Sequence, residues 1–233
     1  MNARDAQRYV RVAGILLVIS MLAGGFGESY VPARLMAGND FAETARRLAA
    51  SLGLLRAGFA FYLIEAMCDL ALTAIFYLVL RPVSRPLSLI AACFGVFSTA
   101  IFAVGEIFFF LAALPVIDAD IARAITPDER AAFIYLCLRI YGYVFNLFAA
   151  FYGIPVMLRG YLIFRSGYLP RALGGLVMLG GAGFVVKNFV AVLLPKYDSM
   201  AYALPMFLAM VSMAFWFLLK GIDPARWDQW RDA

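Results

Sequence analysis

Six long apolar segments constrain the fold of this chain more than any other feature of its sequence. Each is long enough to cross a hydrocarbon core of about 30 Å, which takes roughly 20 helical residues. The sequence predicts spanning helices over residues 9–28, 53–80, 87–113, 129–158, 172–194 and 203–220. We therefore expect an all-α membrane protein, with one membrane domain over residues 1–233 that forms a six-transmembrane-helix bundle.

Composition leaves no room for a separate soluble domain. Of the 233 residues, 64% are hydrophobic and only 15% are charged, whereas soluble domains carry about 25% charged residues. The net charge of +5 comes from basic residues at the helix ends and not from a soluble basic stripe. We therefore expect membrane lipids as partners and no nucleic acid.

The basic residues also predict the orientation of the chain. Eleven fall in the two tails and the even-numbered connections, and six fall in the odd-numbered connections. The first group is Arg4, Arg8, Arg11, Arg81, Arg85, Arg159, Arg165, Arg171, Lys220, Arg226 and Arg231, and the second is Arg34, Arg46, Arg47, Arg123, Arg130 and Lys196. The positive-inside rule then predicts a multi-pass membrane protein with both termini in the cytoplasm.

Histidine is absent from the chain. Its absence excludes the usual zinc-site, di-iron and histidine-triad chemistries, because each needs an imidazole as ligand or base. The three cysteines, Cys68, Cys93 and Cys137, lie in apolar runs without a C-x-x-C spacing, so we expect buried small side chains and no disulfide framework. We expect no cofactor and no metal.

Two capping boxes give the outer loops local structure. Asp40 and Glu43 predict the start of an amphipathic helix, which we expect on the outer membrane surface between spanning helices 1 and 2. Thr126 and Glu129 form the second box and start the fourth spanning helix. Pro155 predicts a kink in that helix, since proline removes one backbone hydrogen bond.

Several stretches resemble a family of bacterial membrane proteins known only as a domain of unknown function. They are Gly24–Pro32, Gly38–Asp40, Leu55–Gly58, Leu80–Val83, Gly160–Pro170 and the following Leu173-Gly174. The resemblance spans most of the chain, and Gly160–Pro170 is its most distinctive part. It implies an inner-membrane protein of six to seven helices and supplies no activity.

Ionisable side chains inside the predicted spans indicate where any activity lies. A charge near the bilayer centre costs roughly 2.5–3.5 kcal/mol on insertion scales. The six are Arg56, Glu65, Asp69, Glu106, Arg139 and Lys187. A rise of about 1.5 Å per residue places Glu65, Glu106, Arg139 and Lys187 in the outer half of the membrane, with Asp69 near the midplane and Arg56 near the outer interface.

A polar stripe on the fourth helix supports the same location, since Tyr135, Tyr143 and Asn146 share the face of Arg139. On the fifth helix, Gly180 and Gly183 share a face with Lys187, and small residues there allow close backbone approach or leave room for a ligand. These patterns predict a charged cavity among helices 2–5. The predicted ligand-binding residues are Glu65, Asp69, Glu106, Arg139, Tyr143, Asn146 and Lys187.

The favoured hypothesis is a protein that binds, and in one version transports, a small amphipathic or anionic ligand or a lipid in this cavity. Arg139 would hold the anionic group, because a guanidinium matches carboxylate or phosphate bidentately. Glu65 or Asp69 would titrate if transport is proton-coupled. A six-helix transporter would need a homodimer for alternating access.

Three alternatives remain open at this point. An intramembrane lipid-modifying enzyme would use Glu65, Asp69 or Glu106 for acid–base chemistry, with Lys187 and Arg139 stabilising negative charge. A Schiff base of Lys187 with an aldehyde chromophore is less favoured. The charges would otherwise be structural pairs, Arg139 with Glu106 and Lys187 with a carboxylate of the second helix, in an assembly protein without a ligand.

Overall fold

The structure is a computed structural model that describes residues 1–231, and it is built from helices. Helices, including the π and 3-10 turns, amount to 88% of the described residues, and none of these residues forms a β-strand. In chain order they are α1 (Ala3–Leu35), α2 (Phe41–Ala50), α3 (Leu52–Leu80), α4 (Arg85–Ile117), α5 (Ala119–Ala124), α6 (Pro127–Ser166), α7 (Arg171–Leu193), α8 (Met200–Leu219) and α9 (Pro224–Arg231). The prediction of an all-α fold is confirmed.

Six of the described helices are long and apolar enough to cross a membrane: α1, α3, α4, α6, α7 and α8. The prediction of a multi-pass membrane protein is thereby confirmed. The predicted boundaries differ most from the structure at two helix ends. Helix α1 continues to Leu35 instead of ending at residue 28, because a π-helical stretch carries it onward. Helix α6 continues through Pro155 to Ser166 instead of ending at residue 158.

The chain separates into two compact units. The first comprises Met1–Ile19, Met67–Thr99 and Leu147–Ala233, and the second comprises Ser20–Ala66 and Ala100–Asn146. Helices α1, α3, α4 and α6 each contribute residues to both units. The single membrane domain over residues 1–233 stays a prediction.

Large apolar side chains fill the core of the first unit. The fully buried ones include Leu80, Leu162, Ile163, Phe217 and Trp227. Lipid tails are as apolar as these side chains, so helix association in a membrane depends on close packing more than on exclusion of water.

Glycines bring α6 and α7 together within the first unit. A Cβ at Gly160 of α6 would lie 2.5 Å from the backbone nitrogen of Met178 on α7. One at Gly174 of α7 would lie equally close to the backbone nitrogen of Phe164 on α6. The two backbones therefore approach at a distance that only glycine permits.

Hydrogen bonds join residues near the two ends of the chain within the first unit. The Gln7 amide donates to the Lys220 carbonyl at 3.0 Å, and its oxygen accepts from the Ile222 backbone N–H at 2.8 Å. Gly221 between them has φ +76°, a left-handed conformation that favours glycine. Both ends therefore lie at the same end of this unit, as six spans require.

The short helix α2 of the second unit is capped as its sequence predicts. Asp40 accepts a hydrogen bond from the Glu43 backbone N–H at 2.9 Å. Glu43 in turn pairs with Arg46 and Arg47, each at 2.7 Å. Hydrogen bonds from Arg46 and then Arg47 lower the pKa of Glu43 to about 2. The outer-surface position of α2 stays a prediction.

Candidate functional site

A widened turn in α1 carries the first acidic group of the candidate site. Residues Gly25–Tyr30 form a π-helix, and the Val31 backbone N–H bonds to the Phe26 carbonyl, five residues back. Pro32 has no N–H to offer the Glu28 carbonyl, which an α-helix would require at that spacing. Single π-helical turns are frequent at functional sites, and this one contains Glu28.

The Glu65 side chain of α3 packs directly on the backbone of α1. A Cβ at Gly24 would lie 2.5 Å from one carboxyl oxygen of Glu65 and 2.8 Å from the other. Glycine at this position therefore makes room for the carboxyl group. Gly27 of the π-helix approaches the Gly58 carbonyl of α3 in the same way, with a Cβ distance of 3.1 Å.

Glu106 of α4 is the most deeply buried acid of this unit, with 3% of its surface exposed. Its carboxyl is hydrogen-bonded to the Tyr141 hydroxyl of α6 and interacts electrostatically with Glu65. Tyr141 is also buried, and its ring packs against Phe109 at 5.1 Å between centroids. Glu28 is close enough to interact electrostatically with Tyr141.

These four residues, Glu28, Glu65, Glu106 and Tyr141, form what we call the carboxyl cluster. They come from α1, α3, α4 and α6, and all belong to the second unit. Carboxyl groups held together away from water bind protons readily, since each is costly to bury charged. No group of three or more His, Cys, Asp or Glu residues among those the structure describes is arranged to hold a metal ion.

The structure brings only two of the seven predicted ligand-binding residues, Glu65 and Glu106, into the carboxyl cluster. Arg139 is exposed on α6 and Tyr143 is 66% exposed. The predicted structural pair of Arg139 with Glu106 is not formed, because Glu106 bonds to Tyr141 and the Arg139 guanidinium lies beside Tyr143. Asn146 is half-buried on the same helix. Whether Arg139, Tyr143 and Asn146 bind a ligand stays a prediction.

The other two predicted residues, Asp69 and Lys187, belong to the first unit. The Lys187 ammonium pairs with Asp198 at 3.6 Å, and its side chain is 16% exposed. Asp198 follows α7 in a connection that sequence reasoning counted as an outer loop. The partner of Lys187 is therefore a loop carboxylate and not Asp69.

Comparison with known protein families gives a match over residues 12–221 to DUF4386, described as a domain of unknown function. The chain belongs to the DUF4386 family. This confirms the resemblance seen in the sequence. An uncharacterized protein of Archaeoglobus fulgidus is 26% identical over 155 residues, which is 66% of this chain and 76% of that relative. No solved structure matches the chain.

Sequence reasoning missed Glu28 in this DUF4386 protein. It lay at the predicted end of the first span, where a carboxylate suggests an interface, whereas in the structure Glu28 is half-buried and interacts with Tyr141. The available signal was the sequence Gly24-Gly-Phe-Gly-Glu28 followed by Pro32. Glycines next to a helical proline allow a widened turn that keeps the helix going.

The second missed residue of this family member is Arg159, which was counted among the inner-loop charges. It lies inside α6 with 6% of its surface exposed. Its guanidinium donates to the Thr73 hydroxyl at 2.9 Å, stacks over Phe76 at 5.0 Å and interacts electrostatically with Asp69. Arg159, Phe76 and Asp69 line a small cavity of the first unit. Its free volume of about 10 Å³ has room for one water molecule.

Proposed function

We propose that this protein binds protons at its carboxyl cluster and couples protonation to the binding, and in a transporter to the movement, of a small solute across the inner membrane. The observation that carries the proposal is the contact between Glu106 and Tyr141, next to Glu65. The coarse conclusion, a membrane protein of the DUF4386 family, does not depend on it.

The surroundings of Glu106 support a proton as the bound ion. Its strongest electrostatic neighbours are Glu65 and Tyr141, and neither carries a positive charge. A carboxylate in hydrocarbon without a cation is costly, so a proton or a bound solute cation has to compensate for its charge. The absence of a metal-binding group among the described residues favours the proton.

The widened turn of α1 supports the coupling step. Glu65 rests on the Gly24 backbone, directly before the π-helix that carries Glu28. A change of charge on Glu65 therefore acts on the helix at the point where its hydrogen-bond pattern is already broken. Inner-membrane proton relays commonly use buried carboxyl groups in this manner.

The solute class is narrower than the one that the sequence favoured, a small amphipathic or anionic ligand or a lipid. The anionic version placed Arg139 in the cavity, whereas Arg139 is exposed on α6. A cluster of three carboxyl groups and one phenol suits a small amphipathic solute that is neutral or cationic. Cytoplasmic termini, a lipid environment and a homodimer for alternating access remain part of the proposal.

Infrared difference spectroscopy of the full chain in proteoliposomes tests proton binding directly. We expect absorption of a protonated carboxyl group at neutral pH in the wild-type protein and a reduced signal in Glu106→Gln. Asp128→Asn is the matched control, because Asp128 is an exposed acid in the first turn of α6. Its replacement should leave the protonated-carboxyl signal unchanged.

Two results would contradict the proposal. A spectrum of Glu106→Gln identical to that of the wild type would show that Glu106 does not hold the proton. A folded Glu106→Gln that acidifies vesicles under an imposed membrane potential as fast as the wild type would exclude proton coupling through this cluster. Tyr141→Phe gives a second variant in case Glu106→Gln fails to fold, because it removes only the hydroxyl.

A further inference from the structure

Arg139 is an exposed arginine on the surface of a membrane-spanning helix. Its neighbours on the same face of α6 are exposed and large, namely Leu136, Tyr143 and Leu147. None of the ion pairs found among the described residues includes Arg139. An arginine in contact with lipid is costly unless an anion compensates for its charge.

Two tyrosines hold the guanidinium of Arg139 in place. It lies 5.9 Å from the ring centre of Tyr135 and 5.6 Å from that of Tyr143. These are cation–π distances, which restrain the group and leave its N–H donors free for a planar anion. The guanidinium donates to the Tyr143 hydroxyl at the long distance of 3.4 Å.

Contacts of Tyr135 indicate how deep in the membrane the Arg139 guanidinium lies. The Tyr135 hydroxyl donates to Asn39 at 3.0 Å, and its ring packs on Phe41 at 4.1 Å. Phe41 is the first residue of the amphipathic helix α2, which we expect at the membrane interface, so Tyr135 lies level with that segment. Arg139 is one turn further along α6, about 6 Å deeper. Lipid phosphates are within reach of an arginine at that depth.

We propose that Arg139, flanked by Tyr135 and Tyr143, binds the phosphate group of a membrane phospholipid. The guanidinium donates two hydrogen bonds to phosphate oxygens, and the tyrosine rings lie at the headgroup level where aromatic residues concentrate. One acyl chain of the lipid runs along the exposed side chains of Tyr143 and Leu147, which follow Arg139 on α6 at intervals of four residues. This lipid site is independent of the proposed function, because Arg139 is not part of the carboxyl cluster.

A second copy of the chain is the alternative source of a negative charge, and the distribution of acids argues against it. The exposed carboxylates of the described chain lie in loops or first helical turns, namely Asp40, Asp120, Asp128, Glu129, Asp198 and Asp223. Glu129 and Arg139 are ten residues apart on α6, a rise of about 15 Å. No exposed acid in the described spans lies at the depth of Arg139.

Native mass spectrometry of the full chain in detergent tests the proposal. Phosphatidylglycerol is added to one sample, and diacylglycerol with the same acyl chains, which lacks phosphate, to the other. We expect one phosphatidylglycerol retained per wild-type chain and no retained diacylglycerol. Arg139→Gln should weaken retention about tenfold or more, since it removes charged hydrogen bonds. Retention of phosphatidylglycerol by Arg139→Lys should be intermediate, because lysine keeps the positive charge but lacks the parallel N–H donors of the guanidinium.

Arg123→Gln is the matched control, because Arg123 is an exposed arginine of α5 outside the spanning helices. Arg123→Gln should retain as much phosphatidylglycerol as the wild type does. Equal retention of diacylglycerol, full displacement of the lipid by inorganic phosphate, or a wild-type result for a folded Arg139→Gln would each overturn the proposal. A dimer that dissociates in Arg139→Gln without any bound lipid would make a second copy the occupant. If Arg139→Gln does not fold, the retention of phosphatidylglycerol and of diacylglycerol is measured for the wild type and for Tyr143→Leu instead, and that comparison decides.

Discussion

Gly153 and Gly181 face each other where α6 crosses α7, and neither leaves room for a side chain. A Cβ at either residue would lie 2.6 Å from the carbonyl oxygen of the other. Real Cβ atoms essentially never approach a neighbouring atom that closely. The contact between these helices is therefore made by the backbone itself, with Cα–H groups directed at carbonyl oxygens.

Gly181→Ala should destabilise the protein through this contact. The added methyl group meets only backbone and Met157 atoms, so the helices must separate, at a cost of about 1–3 kcal/mol. For a chain of this size that corresponds to a fall in Tm of about 2–4 °C per kcal/mol. The measurement is thermal unfolding in detergent followed by tryptophan fluorescence.

Gly175→Ala is the control for this prediction, because nothing lies within 4 Å of a Cβ at Gly175 in the same helix. Alanine should be neutral there or slightly stabilising, since it favours the helix over glycine by roughly 1 kcal/mol. Equal Tm values for the two variants would show that the close crossing does not matter.

Thr73→Val should destabilise the first unit by leaving a guanidinium N–H of Arg159 without its acceptor. The two residues have nearly the same shape, so the change removes the hydrogen bond at 2.9 Å and little packing. A buried donor left without a partner costs about 1–3 kcal/mol. The fall in Tm is the readout.

Thr99→Val is the matched control for Thr73→Val. The Thr99 hydroxyl is buried but donates only to the Gly95 carbonyl, which also accepts from Ser98 at 2.8 Å. That carbonyl keeps a partner in the variant, so Tm should change less than in Thr73→Val. The reverse order would argue against a structural role for the bond between Thr73 and Arg159.

Glu43 should make the stability of the second unit depend on pH in acid. Its pKa is lowered from 4.5 to about 2 by Arg46 and Arg47, so its carboxylate is favoured in the folded state. This contribution is fully present above pH 4.5 and is lost as the pH falls towards 2. The difference in Tm between the wild type and Glu43→Gln should therefore shrink across this range.

The effect of Glu43 should also be modest and should fall with added salt, because its partners are exposed. Asp128→Asn serves as the control, since Asp128 is exposed and its neutralisation should not produce the same pH window. A difference in Tm that grows as the pH falls would contradict the assigned sign.

Fusion reporters test the predicted orientation. The Gln7 bonds to Lys220 and Ile222 place both chain ends at one end of the first unit. A fluorescent protein fused after residue 233 should be active if that end faces the cytoplasm, and alkaline phosphatase there should be inactive. Alkaline phosphatase fused after residue 125 should show the opposite result. The reversed pattern of reporter activity at the two positions would show that the chain has the opposite orientation.

The six spanning helices could be predicted from the sequence because apolar length alone identifies them. The short helices α5 and α9 have no such signal and were not predicted. Arg159 shows where this approach fails, since a single charge near a predicted helix end was assigned to a loop. Removing Arg159 leaves ten inner basic residues against six outer ones, so the predicted orientation keeps its sign. The burial of Arg159 depends on Thr73 and Phe76, which are more than 80 residues away in the chain.

The candidate site was predicted in part for a similar reason. Helical periodicity assigns Glu65 and Glu106 to spanning helices, but it cannot say which face of each helix meets which neighbour. Arg139 was therefore assigned to the cavity although it faces outward, and Tyr141, two residues further along α6, was not considered. Adjacent positions on a helix differ by about 100° in direction, so a small error in the assumed face exchanges a buried residue for an exposed one.

The π-helix of α1 amounts to one residue more than a regular helix would hold over the same length. Loss of a single residue between Gly25 and Tyr30 would restore regular winding and leave the two sides of the helix in the same rotation, because the widened turn already absorbs the extra residue. Val31 and Leu35, both fully buried, would keep their contacts. The segment should accordingly tolerate the loss of one residue without loss of the fold, and what the deletion removes is the widened turn that carries Glu28.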